Sequence, residues 1–173
     1  LLSSYIVDYI LPEVHREANL RSSQGFSRFL DALAFSQGEL LNYSNISRDC
    51  GVDAKTVKTY FEVLADMYLG YFVPPFAKQA SRKLIKDTPK FYLMDTGLAN
   101  YLKRYHFTEM KGSDAGKAFE HYVFLELMAY KALNDLNFPI EFWRTQNGQF
   151  EVDFILGRGT IAIECKISKA IEN

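Results

Sequence analysis

The stretch EVDFILGRGTIAIECKIS, residues 151–168, decides how the second half of this chain is read. It is β-prone and mostly apolar, yet it carries Glu151, Asp153, Glu164 and Lys166. Strand side chains alternate between the two faces of a sheet. Val152, Phe154 and Leu156 therefore share one face of a first strand, and Glu151 and Asp153 share the other. In the second strand Ile161, Ile163, Cys165 and Ile167 share a face, with Ala162, Glu164 and Lys166 opposite. Matching the apolar sets makes the four charges converge on one face and sends Cys165 to the core side. The loop must be even in length for this. Gly157–Thr160 or Arg158-Gly159 puts Asp153 opposite Glu164 and Glu151 opposite Lys166, whereas a three-residue loop parts them.

Directly opposed Cβ atoms lie about 4.5–5.5 Å apart. Two carboxylates that close repel unless a proton or cation sits between them. A hard divalent ion, Mg²⁺ or Mn²⁺, suits an oxygen-only donor set. A neighbouring lysine can orient or help deprotonate a metal-bound water, which is the equipment for phosphodiester hydrolysis. The plainer reading is a solvated sheet face with a Glu–Lys cross-strand pair.

Working outward, residues 114 to about 134 read as a helix with Phe119, Val123, Leu127 and Tyr130 at one-turn spacing. Glu120 stands among Gly116, Val123, Phe124 and Leu127, an apolar setting for an acid. IEFWRT, QFEVDFIL and TIAIECKIS follow as three strands, so this half reads αβββ. Residues 1–78 read as helical. Phe26, Phe29, Leu30, Leu33 and Ala34 mark one helical face, with Gly38 just beyond it. Ser44 is read as the cap of a short helix with Ile46 and Cys50 inward. Gly51 permits a tight turn, and Asp53 caps a second helix with Val57, Tyr60, Phe61 and Leu64 inward. Short helix, glycine turn and longer helix form a helix-turn-helix pattern. LGYFVPPFA and KFYLMD supply two short strands, the arrangement of a winged helix. Asp95 then caps another short helix, through about Arg104. The expected fold is α+β: a winged-helix-like helical domain over 1–110 and an αβββ domain over 111–173.

Composition narrows the classes. The 173 residues are 48% hydrophobic and 15% aromatic, enough for packed cores. The net charge of −1 makes no case for nucleic acid or membrane. Its distribution does: residues 1–77 sum to −3, 78–110 to +4 and 111–173 to −2. The positive charge gathers where a wing should be, at Lys78, Arg82, Lys83, Lys86 and Lys90. Beside it stands a helix carrying Lys55 and Lys58. Together they make a candidate phosphate-binding surface, with DNA the expected partner. A solvated loop on a protein-binding adaptor explains the same charges. The two cysteines, Cys50 and Cys165, have no metal spacing and fit a reducing cytoplasm. No apolar run approaches the ~18 residues of a membrane span. GSDAGKAF, 112–119, fails as a P-loop: it is one residue short between the glycines and lacks Ser or Thr after Lys117. No ATP site is expected in this chain.

Two resemblances add to this. The spacing D-x10-E-x-K, with Asp153, Glu164 and Lys166, resembles the signature of the PD-(D/E)xK nucleases. That resemblance implies an αβββ opening and an extra acid from the helix, a place Glu120 fits. Asp153, Glu164 and Glu120 would bind metal, and Lys166 would assist the water. Nearly the whole chain resembles the domain of unknown function that follows the ATPase module in bacterial and archaeal AAA-type predicted ATPases. Ser36-Gln37-Gly38, Leu41-Asn42, Gly51-Val52, Thr56-Val57 and Lys90 through Leu98 carry this. So do Gly116-x-x-x-Glu120, Trp143-Arg144-Thr145, Glu151-Val152-Asp153-Phe154 and Glu164-x-Lys166. It implies an ATPase upstream in the same polypeptide and further elements after Lys166. The absence of an initial Met agrees with a piece of a longer protein. The sequence is compatible with an oligomer. A non-catalytic module that keeps the nuclease-like fold for binding or regulation is the alternative function.

Overall fold

The computed structural model describes residues 4–17, 23–77, 88–103, 112–145 and 147–167. A π-helical turn, Tyr5–Ile10, runs into α1, Leu11–Glu17. Next come α2, Ser23–Ser36; α3, Tyr43–Cys50; and α4, Ala54–Asp66. Strand β1, Gly70–Val73, pairs with β2, Lys90–Leu93, and α5, Thr96–Leu102, follows. A long helix α6, Gly112–Leu133, precedes β3, Ile140–Arg144; β4, Glu151–Leu156; and β5, Ile161–Ile163. The class is α+β. Among the described residues no helix is long and apolar enough to cross a membrane.

The chain forms two compact units. The first holds Leu1–Phe72 and Phe91–His106; the second holds Val73–Lys90 and Phe107–Asn173. Residues 73–90 thus belong with the second unit although they precede the last part of the first.

In the first unit, α2 buries Phe26, Phe29, Leu30 and Leu33, the helical face read from the sequence. α4 adds Val57, Tyr60, Phe61 and Leu64 to the same core. Phe61 lies edge-on to Phe29 at 4.9 Å and to Phe91 at 5.0 Å, a preferred geometry for aromatic pairs. The cap of α3 is Asn42, not Ser44. Its side chain accepts from the Asn45 amide at 3.0 Å, so the helix starts one residue before Ser44, at Tyr43. Gly51 takes the left-handed conformation, φ 68°, and turns the chain from α3 into α4. Asp53 caps α4 through the Thr56 amide, and Asp95 caps α5 through the Leu98 amide. The α5 helix ends at Leu102, with Lys103 as its C-cap.

In the second unit the sheet order is β3-β4-β5, antiparallel throughout. The β3–β4 register shifts between Glu141 and Trp143. On the other side of β3, Phe142 makes a parallel bridge with Pro75. Its N–H donates to Pro74 O at 3.1 Å, and its carbonyl accepts from Phe76 N at 2.6 Å. α6 covers one face of the sheet through Phe124, stacked on Phe154 at 6.0 Å. The inward line of α6 differs from the expected one. Ala115, His121 and Phe124 are buried, while Phe119, Val123 and Leu127 are half-buried and Tyr130 is exposed. A 22-residue helix lying over three short strands buries part of its length only, so its apolar stripe overstates the contact.

Candidate functional site

The site builds up from β4. Alternation sends Phe154 under α6 and Glu151 and Asp153 to the other face of the strand. The β4–β5 register pairs Leu156 with Ile161 and Phe154 with Ile163, leaving a four-residue loop, Gly157–Thr160. This is the even length expected from the sequence, and the paired register runs as far as Phe154–Ile163. The loop needs left-handed backbone at Gly157, Arg158 and Gly159. Two are glycines, which reach it without strain.

The ladder ends at Phe154–Ile163, and the chain then turns onto Asp153. The Cys165 amide donates to Asp153 Oδ2 at 2.7 Å. The Cys165 thiol is half-buried. Burial, with the charges of Asp153, Glu120 and Glu164, pushes the thiol up to about 12. The expectation that Cys165 belongs to the apolar core is therefore corrected. Strand alternation fails past Ile163, because β5 stops there.

Each acid has a protein partner. Lys90 Nζ lies 3.1 Å from Glu120 Oε1 and 2.7 Å from Glu151 Oε1. Arg144 Nε is 3.7 Å from Glu151 Oε2. Lys166 Nζ is 2.5 Å from Glu164 Oε1, on an exposed part of the surface. That contact, led by a hydrogen bond to Glu164, raises the Lys166 pKa. A lysine acting as a base needs the reverse shift. Burial lowers the pKa of Lys90, but Glu120 and Glu151 outweigh it, and the ammonium stays charged.

Among the described residues, no group of three or more His, Cys, Asp and Glu is placed to hold a metal ion. Glu120 is engaged by Lys90 instead.

The expected nucleic-acid surface divides. Lys55 and Lys58 lie exposed on α4, with Lys58 3.6 Å from Glu62. Lys78, Arg82, Lys83 and Lys86 fall outside the described residues. Lys90 is corrected: it is buried and ion-paired, so it is not available to a phosphate. The reading of the sequence missed its real partners. Its position, leading directly into the apolar run Phe91-Tyr92-Leu93, was the available signal.

The family profile described as Domain of unknown function (DUF8612) matches residues 1–109. The chain belongs to that family. A second profile, Domain of unknown function (DUF4143), matches residues 115–173, and this domain is known from proteins associated with AAA-type ATPases. Lys90 falls in the DUF8612 span, whereas Glu120 and Glu151 fall in the DUF4143 span. No curated protein and no solved structure matches the chain.

Proposed function

We propose that this chain is an accessory region of a AAA-type ATPase that binds DNA through a helix-turn-helix, its αβββ unit serving binding or regulation rather than cleavage. The observation that carries the DNA reading is the α3–Gly51–α4 arrangement. It buries Ile46, Cys50, Val57 and Tyr60 on the inner side and leaves Lys55 and Lys58 outward on α4. That is the layout of a helix offered to a groove. With two lysines, one near Glu62, the binding is weak and carried by phosphates.

The non-cleaving half rests on the acids. Glu120, Asp153 and Glu164 each have a protein partner, and Lys166 is held cationic by Glu164. A metal-dependent phosphodiesterase, with Mg²⁺ or Mn²⁺ on Asp153 and Glu164, is the second reading. The four-residue loop favours it, because its even length is the one that this reading requires.

Fluorescence anisotropy with a labelled duplex, repeated across salt concentrations, tests the proposal. Lys55→Ala and Lys58→Ala should each weaken binding and flatten the salt slope by about one. Binding that ignores both changes would remove α4 as the contact. Incubation with DNA and Mn²⁺ should leave the strands intact. Scission that disappears in Glu164→Ala and Lys166→Ala would establish the second reading instead.

A further inference from the structure

We propose that Lys90 is a built-in counter-ion, filling from within the chain the place between Glu120 and Glu151 that a divalent cation would otherwise occupy. The inference is independent of DNA binding by α4. Its basis is geometric. Lys90 Nζ contacts a carboxylate oxygen from α6 and another from β4, at 3.1 and 2.7 Å. Its side chain is only 4% exposed. The ring of Phe142 lies 5.5 Å from the ammonium. The second oxygen of Glu151 faces Arg144. Lys90 and Arg144 thus meet opposite ends of the Glu151 carboxylate.

An octahedral Mg²⁺ needs oxygen ligands at about 2.0–2.1 Å and keeps several waters around it. An ammonium bonded to both carboxylates and shielded by a ring leaves no place for that shell. Lys90 cannot easily withdraw, since it begins β2 and the three residues after it are all buried. Glu120, the acid that would complete a nuclease-like metal shell, is therefore committed to the protein. Removing the ammonium reverses the situation. Glu120 and Glu151 would face each other without their shared cation, and such a pair calls for a proton or a metal. The cluster is a cation site whose resident cation is a side chain.

Thermal unfolding of the whole chain, with and without Mn²⁺, tests this in the unsubstituted protein, Lys90→Met, Glu120→Gln and Lys90→Met/Glu120→Gln. Lys90→Met should melt lower, and Mn²⁺ should raise its midpoint by several degrees. The double variant should melt above Lys90→Met without metal, because the repulsion is gone, and should lose the response to Mn²⁺. The second comparison holds even where Lys90→Met folds poorly. Calorimetric binding of Mn²⁺ to the unsubstituted protein that Glu120→Gln abolishes would overturn the proposal. So would a double variant no more stable than Lys90→Met.

Discussion

At the scale of single residues, Cys165 and Lys90 report the electrostatics of the acidic face. The Cys165 thiol is held up to about 12 by burial first, then by Asp153, Glu120 and Glu164. The thiolate is the nucleophile, so Cys165 should alkylate slowly at pH values where free cysteine reacts. Asp153→Asn removes a raising charge and should speed alkylation, about threefold for each unit the pKa falls, because the thiolate fraction grows faster than its intrinsic nucleophilicity drops. Peptide mapping after iodoacetamide separates Cys165 from the buried Cys50, and equal rates in both proteins would remove Asp153 from the cause. The sign for stability follows. A group whose folded pKa is raised stabilises fully below its unfolded value and ceases to as pH rises through the folded one. Cys165 and Lys90 are both raised, from 9.0 and 10.5. Stability should therefore decline as pH rises above the ordinary cysteine range, and urea midpoints across alkaline pH measure it. Breaking the ion cluster by Lys90→Ala leaves two carboxylates partly buried and should cost about 3–5 kcal/mol by urea denaturation.

At the scale of elements, backbone chemistry sets the boundaries. Asn42 and Asp95 each close an open helix start, at α3 and α5. Substituting either by Ala should cost about 1 kcal/mol. The tighter constraint is in β1. A Cβ on Gly70 would stand 2.3 Å from Phe91 Cζ and 2.9 Å from the Tyr92 carbonyl oxygen. Gly70→Ala must therefore displace a buried ring or part β1 from β2. The expected loss is about 1–3 kcal/mol, again read from denaturant midpoints, with far-UV circular dichroism showing that the helices persist. These elements were legible because their signals are local: an apolar repeat, a cap, a glycine. Ser44 shows the margin of such reading, since two residues of similar capping ability stand two positions apart. Strand β5 is the contrasting case. Its sequence keeps alternating to Ile167, but hydrogen bonding stops at Ile163, and Cys165 turns to Asp153.

At the scale of the whole molecule, the division into units does not follow the chain. Residues 73–90 contribute Lys90 and the Pro75 bridge to the second unit, although they precede α5. A fragment of residues 111–173 would lack both, leaving Glu120 and Glu151 without their ammonium and one side of β3 uncovered. It should fail to give a dispersed amide spectrum in nuclear magnetic resonance, whereas the intact chain should give one. A well-folded fragment would show that the 73–90 segment is dispensable.

The sequence by itself determined most of the elements and the even loop after β4. Period, capping and turn chemistry act within a few residues, and each is written in the order of side chains. The tertiary structure alone decided which cation meets the acids. Glu120 and Glu151 lie 30 and 61 residues from Lys90 in the chain, and no local pattern links them. Only folding, which carries Lys90 on β2 to the start of β4, brings the three within hydrogen-bonding distance.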